Sequence, residues 1–255
     1  MITTEKRGHI TIVTIDRPER RNALDAEAQA ELNAIFDAFE ADDDQRVAIV
    51  TGAGDKAFCA GHDLSTPAPE CPDDMPRGGF GGLTARFAMR KPVIAAVNGF
   101  AVGGGFEMVL ACDIVVAAPH ARFALPEVRV GMMPLAGGIL RLYRLAGHHR
   151  AMTMLLTGRM IDMAEAEGIG LVAEVAHSRP VLDCALEWAT RILEASPLAV
   201  QATKAVATRF ADQPLGSAMD AQWTLPEVIR AQQSQDAAEG PAAFIEHRKP
   251  HWRGC

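Results

Sequence analysis

An α/β fold closed by a helical C-terminal region is predicted for this 255-residue chain from three observations. Short runs of β-branched residues alternate with helix-period segments over roughly the first 190 residues. Pairs of short strands separate the helices, so a simple strand–helix–strand repeat does not fit the spacing. From about residue 180 onward only helical periodicity remains.

Taken in order, residues 9–15 alternate Ile10, Ile12 and Thr14 against Thr11, Val13 and Ile15, which predicts a strand stopped at Asp16-Arg17-Pro18. Residues 25–40 place Ala28, Leu32, Ile35, Phe36 and Phe39 at helical spacing behind Asp25, an N-cap candidate. A buried strand is predicted at Val47–Thr51, running into Gly52-Ala53-Gly54-Asp55. Residues 66–82, with four prolines and four glycines, are expected to form a mobile loop. A strand at 92–98, a glycine loop at 99–105 and a helix from 106 follow. Ile114–Ala118 reads as a short strand, Phe123–Pro126 as an extended segment, and Gly137-Gly138 as the opening of an apolar helix through Leu145. Helices are then predicted at 180–194, from Ser196-Pro197 to Arg209, at 215–233 and at 235–247. The boundary between the α/β body, 1–195, and the helical region, 196–255, is placed there. So apolar an appendage needs covering by the body or by a second subunit.

Composition narrows the function classes. Apolar residues make up 49% and charged residues 22%, an ordinary globular balance, while aromatics at 5% leave the core to Ala, Val, Ile, Leu and Met. The net charge of −7 and pI near 5.6 argue against nucleic-acid binding, although Arg17, Arg20 and Arg21 could meet the phosphates of a small ligand. Cys59, Cys71, Cys112, Cys184 and Cys255 are scattered and odd in number, as expected of reduced thiols. No apolar signal core or membrane-length run is present in the sequence, so a soluble cytoplasmic protein without membrane partners is expected.

The sharpest local motif is Val97-Asn98-Gly99-Phe100-Ala101-Val102-Gly103-Gly104-Gly105-Phe106-Glu107, a strand that feeds three glycines into a helix. Glycines bring bare N–H groups close to a ligand, and a helix N-terminus aims them at negative charge. A Walker loop would need Lys and Ser or Thr after the glycine, and the dinucleotide G-x-G-x-x-G spacing is absent. The pattern fits an oxyanion hole for an acyl oxygen, or a tight strand–helix junction that holds no ligand. Lys56-Ala57-Phe58-Cys59-Ala60-Gly61-His62-Asp63-Leu64 is a second small-residue turn after a strand, and could supply another N–H. Cys59 and His62 lack further metal ligands nearby, and Cys59 is expected to be a small core residue.

Two carboxylates flank these loops in sequence. Glu107 follows the glycines directly, and Glu127 sits in the apolar Phe123-Ala124-Leu125-Pro126-Glu127. A carboxyl in apolar surroundings titrates high and can store a proton, so a pair around one water could activate it and protonate carbon on the same face. The bland readings are a first-turn acid answering the helix dipole for Glu107 and a surface acid for Glu127. No G-x-S-x-G nucleophile elbow occurs. His148-His149 reads as a solvated loop, and Met152, Met154, Met160 and Met163 read as core.

Together these motifs resemble the crotonase (enoyl-CoA hydratase/isomerase) superfamily over essentially the whole chain. The resemblance rests on Arg21-Asn22-Ala23-Leu24, on the 57–64 and 98–107 segments, and on Ala111-Cys112-Asp113. It continues through Phe123–Val128, Gly137-Gly138 and the tail from Glu239-Gly240 to Phe244 and Lys249. It implies a spiral of ββα turns followed by a helical trimerisation region, assembled as a homotrimer or as a hexamer, a dimer of trimers. It also implies an oxyanion hole on the backbone N–H groups of His62 and Gly104. The coenzyme A moiety would lie along Ala60, His62, Asp63, Leu64 and Ser65 with Arg21 and Leu24 nearby, Leu135 would line the water site, and Phe244 and His247 would reach a neighbouring subunit's ligand. No cofactor or metal is expected, because coenzyme A is part of the acyl-CoA thioester substrate.

With Glu at both acid positions, twenty residues apart, the resemblance is strongest to enoyl-CoA hydratases, which add water across a 2,3 double bond. Glu107 would polarise the water and protonated Glu127 would supply the α-carbon's proton. Departures from that pattern are Leu135 for a glycine, and Ser65 and His247 for lysines. The Leu125-Pro126-Glu127 and Arg248-Lys249-Pro250-His251-Trp252 pieces are similar to carnitinyl-CoA dehydratase-type members, the alternative within the family. A non-catalytic acyl-CoA-binding or assembly protein is the alternative outside it.

Overall fold

The computed structural model describes residues 1–66 and 75–255. Its larger sheet holds six strands in the order β1 (Ile2–Arg7), β2 (Ile10–Ile15), β3 (Val47–Gly52), β5 (Val93–Val97), β7 (Ile114–Ala117) and β9 (Glu174–Val175). β1 and β2 form an antiparallel hairpin, and every later pairing is parallel. A second sheet stacks β4 (Ala57–Cys59), β6 (Phe100–Val102) and β8 (Arg122–Ala124) in parallel. Each of β4, β6 and β8 follows a strand of the larger sheet after a few residues, which accounts for the paired short strands of the sequence.

Period-two alternation sorts side chains to the two faces of the large sheet. Ile10, Ile12, Val47, Ile49, Ile94, Ala96 and Val116 face helix α6 (Val181–Leu193) through Cys184, Ala185 and Ala189. Val13, Ile15, Ala48, Val50, Ala95, Val97, Val115 and Ala117 face the interior of the spiral, with α1 (Ala26–Ala41) and α2 (Gly104–Ala111). Each fully buried Leu, Ile or Phe on these faces contributes about 1.5–3 kcal/mol. Helix α1 starts where the cap residue requires, with the Asp25 carboxylate accepting from Ala28 N–H at 2.9 Å.

Further along lie α3 (Gly138–Ala146), α4 (His148–Thr157) and α5 (Met163–Gly168). α4 corrects the loop expected at His148-His149: Gly147, with φ 74°, breaks α3, and the chain restarts as a helix at once. Met154 and Met163 are buried as expected, whereas Met160 is exposed. Helix α7 (Pro197–Arg209) starts at Ser196, whose hydroxyl accepts from Ala199 N–H. The single helix expected over 215–233 is two, α8 (Leu215–Ala221) and α9 (Pro226–Gln232). Pro226 has no N–H to continue a helix, and it opens α9 at the first helical position. The last helix is α10 (Gln235–Ile245). Lys204 fastens α7 to the body, donating to Asp113 Oδ2 at 2.7 Å and to the Lys91 carbonyl at 2.9 Å.

The expected loop at 66–82 is corrected in part. Residues 67–74, with Cys71, lie outside the described residues, but the stretch after them is packed rather than open. Phe80–Gly82 form a buried 3-10 turn. Asn33 Oδ1 accepts from Gly78 N–H at 2.8 Å, and the Arg86 guanidinium donates to the carbonyls of Gly82 and Asn33. Asn33, 45 residues before Gly78 and 53 before Arg86, anchors this segment, so its own composition gave no sign of it. Among the described residues, no helix is long and apolar enough to cross a membrane.

Candidate active site

The two small-residue loops meet at the N-terminus of α2. The segment read as a glycine loop over 99–105 contains strand β6, and the helix begins at Gly104, two residues earlier than its apolar pattern suggests. β4 and β6 are neighbours, so the residues that follow them, Ala60–His62 and Gly103–Gly105, emerge side by side. A methyl group on Gly105 would fall 2.1 Å from the Cys59 carbonyl oxygen, and one on Gly61 would fall 3.2 Å from the Gly104 nitrogen. Only glycine permits that approach.

Backbone bookkeeping identifies the free donors. Leu24 bridges to the 61–63 turn by donating to the Gly61 carbonyl at 2.8 Å and accepting from Asp63 N–H at 2.9 Å. Alternation then turns the N–H of His62 away from Leu24. Gly104, first residue of its helix, has no carbonyl one turn earlier to receive its N–H. Among the described residues neither the His62 nor the Gly104 amide has an acceptor. Phe80 packs directly on Gly104, its ring carbons 2.5–2.8 Å from where a Cβ would stand.

Glu107 projects from the first turn of α2 and is 3% exposed. Its Oε1 accepts from Gly138 N–H, the first residue of α3, at 2.8 Å. Burial pushes this carboxyl up to about 7, and the charge of Glu127 adds to the rise; N–H bonds from Gly138 and Ala136 and the charge of Arg141 oppose it. Glu127 begins a 3-10 turn, Glu127–Val130, after β8 and Pro126. It is half-buried rather than a surface acid, and its Oε2 is buried with no hydrogen-bond partner among the described residues. Burial raises its titration point too. Its Oε1 would lie 3.2 Å from a Cβ on Gly103, whose φ of 58° favours glycine in any case. Two carboxyl groups, each biased toward holding a proton, therefore flank a pair of unspent N–H donors.

The remaining expected residues are placed as follows. Ala60 donates its N–H to the Arg21 carbonyl at 3.1 Å and Leu24 donates to the Gly61 carbonyl, so the 21–24 segment lies against the 60–63 turn. Asp63 accepts from Ser65 N–H and Oγ at 3.1 and 2.7 Å, bonds that hold its carboxyl below the usual range, while Leu64 is exposed. Leu135 is 74% exposed. Phe244 and His247 lie at the exposed end of α10, and no hydrogen bond or ion pair joins them to the two loops among the described residues. Arg17, grouped in sequence with Arg20 and Arg21, is committed to Asp25 at 2.5 Å and to the Ala23 carbonyl. Cys59 is a buried thiol pushed up to about 12 by burial, so it is no nucleophile. Among the described residues no cluster of three His, Cys, Asp or Glu could hold a metal ion.

Two positions carry more of the site than their local sequence signals. The Asn22 side chain accepts from Arg17 N–H and donates to the carbonyls of Ala53 and Ala57. The Arg141 guanidinium donates to the Ala136 and Thr84 carbonyls at 3.2 and 2.8 Å. In sequence the Asn22-Ala23-Leu24-Asp25 turn points to the first only weakly, and nothing local points to the second.

The enoyl-CoA hydratase/isomerase family model matches residues 5–255. The chain is 43% identical over 253 residues to a carnitinyl-CoA dehydratase of Citrobacter koseri, covering 98% of this chain and 97% of that protein. It is 42% identical over 252 residues to a carnitinyl-CoA dehydratase of Proteus mirabilis, covering 97% and 96%. Among solved structures, an enoyl-CoA hydratase from Mycobacterium tuberculosis H37Rv superimposes with a TM-score of 0.92 at 37% identity, over 100% of this chain and 99% of that one. An enoyl-CoA hydratase from Bacillus anthracis superimposes at 0.90 and 33% identity, over 100% and 99%.

Proposed function

The chain belongs to the enoyl-CoA hydratase/isomerase (crotonase) family, and we propose that it is a hydro-lyase that interconverts a 3-hydroxyacyl-CoA and its 2-enoyl-CoA by loss or gain of water. The observation that carries this reading is a pair of carboxyls at the glycine loop, buried Glu107 in the first turn of the helix that Gly104 opens and half-buried Glu127 beside Gly103. An isomerase that shuttles one proton needs one such group; adding water requires one group to take a proton from oxygen and another to give one to carbon.

In the hydration direction, the N–H groups of His62 and Gly104 stabilise the negative charge that develops on the thioester oxygen, a contribution of about 2.7–4 kcal/mol per donor. Ionised Glu107 takes a proton from water as the water oxygen bonds to the β-carbon, and protonated Glu127 passes its proton to the α-carbon. Glu107 then holds the proton and Glu127 the charge. Exchange through the next water restores the pair. Burial raises the titration points of both carboxyls, that of Glu107 to about 7, so each is biased toward the protonated form that can deliver a proton.

For the substrate, the 43% identity to carnitinyl-CoA dehydratases favours the carnitinyl-type reading over a general fatty acyl one. The tail segment Arg248-Lys249-Pro250-His251-Trp252 supports the same choice. We therefore assign a substrate whose acyl chain bears a quaternary ammonium group beyond the reacting carbons. The test compares the rate at which enoyl-thioester absorbance disappears with the dehydration product of carnitinyl-CoA and with crotonyl-CoA. A higher kcat/KM for the cationic substrate is expected, with activity lost in Glu107→Gln and Glu127→Gln. A preference for crotonyl-CoA would return the assignment to a general enoyl-CoA hydratase. Inactivity on every enoyl-CoA would favour an acyl-CoA-binding role without turnover.

A further inference from the structure

We propose that Arg141 is a positioning residue for the water-handling carboxylate, joining the turn that holds Glu107 to the turn that covers the oxyanion donors. The inference rests on the hydro-lyase reading for its kinetic consequence but not for its structural one.

The guanidinium stands between two turns and hydrogen-bonds to both. One of its nitrogens donates to the Ala136 carbonyl at 3.2 Å and another to the Thr84 carbonyl at 2.8 Å. Ala136 begins the Ala136-Gly137-Gly138 turn, whose Gly138 N–H is the hydrogen bond on Glu107 Oε1. Thr84 ends the buried segment that lays Phe80 on Gly104; its own N–H returns to the Phe80 carbonyl. One planar fork therefore ties the turn that holds the Glu107 carboxylate to the segment that lays Phe80 on Gly104. Phe87 closes it from the outer side, with its ring centroid 5.7 Å from the guanidinium carbon. Close approach is built in: a Cβ on Gly137 would lie 2.1 Å from an Arg141 nitrogen. Lysine carries the charge but not the fork, and so cannot reproduce the arrangement.

The charge has a second effect. Two charged groups act on Glu107 through space, Glu127 from the 127–130 turn, raising its titration point, and Arg141 from α3, lowering it. Arg141 is itself influenced by Arg144 and Cys112. It is thus the cation that favours the ionised Glu107 needed to take a proton from water.

The experiment titrates the Glu107 side-chain carboxyl by carbon-13 NMR in protein labelled at glutamate, the resonance being assigned by its loss in Glu107→Gln. Kinetic pH profiles are run on the same samples. In Arg141→Gln the Glu107 midpoint should rise, and the acid limb of kcat/KM should move up with it. In Arg141→Lys the midpoint should stay near wild type, while kcat falls at least tenfold at every pH and KM changes less than threefold. An unmoved midpoint in Arg141→Gln, or wild-type kcat in Arg141→Lys, would overturn the proposal. Should Arg141→Gln fail to fold, Arg141→Lys alone decides it through kcat. The NMR titration needs no substrate, so a shifted midpoint in a chain inactive on every enoyl-CoA would retain Arg141's influence on Glu107 and reject the hydro-lyase reading.

Discussion

Asn22 and Asn98 donate to the same carbonyl oxygen, that of Ala57, at 2.7 and 3.2 Å. Both carboxamides are buried, and each has other work. Asn22 also holds the Ala53 carbonyl and Arg17 N–H, while Asn98 holds the Gly54 carbonyl and Gly52 N–H. Between them they tie the 52–57 turn to the strand that ends in the glycine loop, so β4 and β6 enter the site in fixed register.

Removing either amide should therefore loosen the oxyanion loops as well as the fold. Asn98→Ala leaves Gly52 N–H and the Gly54 carbonyl without partners, at a cost of about 1–3 kcal/mol. Urea unfolding should show that loss. Full stability with full activity would show that the shared carbonyl is dispensable.

Gly138 is tested by adding one methyl group. A Cβ there would lie 2.9 Å from Glu107 Cγ and Oε1 and 3.0 Å from Leu125 Cδ1, so Gly138→Ala must displace the carboxyl or its helix. A displacement of about 1 Å at the reacting group can cost about 10²-fold. We expect kcat to fall on that scale with little change in KM, measured by steady-state hydration. A fall in affinity alone would place the methyl's effect on substrate binding instead.

Stability should depend on pH through Glu107. Its folded-state titration point, about 7, lies above the ordinary carboxylate value of an unfolded chain. Between the two the folded protein binds the proton more tightly, so this contribution is fully present at low pH and is lost as pH rises through 7. Glu107→Gln has no such dependence. Its unfolding free energy relative to wild type should rise by about 3 kcal/mol from pH 5 to pH 8. A difference that stays flat across that range would mean that Glu107 ionises as freely folded as unfolded.

Asp236 should hold the C-terminal tail. It is 3% exposed and accepts from Ser196 Oγ at 2.9 Å, Arg253 N–H at 2.7 Å and Gly254 N–H at 3.1 Å. In Asp236→Ala these donors lose their acceptor, a loss of about 2 kcal/mol or more. Trypsin should then cut after Arg253 much faster than in wild type, followed by mass spectrometry. An unchanged cleavage rate would show that the tail is held by other contacts, such as the Gln235 N–H bond to the Cys255 carbonyl.

Much of the fold was legible because its signals are local. Asp25 capped the helix expected of it, alternation in 10–15 assigned the right residues to each face, and Ser196-Pro197 opened a helix as read. The errors fall where distant partners decide. The 78–86 segment looks like loop until Asn33 holds it at Gly78 and Arg86, and Arg141 looks like any helical arginine until the fold brings Thr84 and Ala136 to it.

The amino-acid pattern alone determined that this is an α/β chain of a recognisable family with two glutamates beside two glycine turns, since strand period, caps and glycine spacing are properties of neighbouring residues. Only the tertiary structure decided that Glu107 is buried against Gly138 and titrates high, that Glu127 has an oxygen without a partner among the described residues, and that Phe80 covers Gly104. Those properties depend on desolvation and close approach between segments tens of residues apart, which no local spacing encodes.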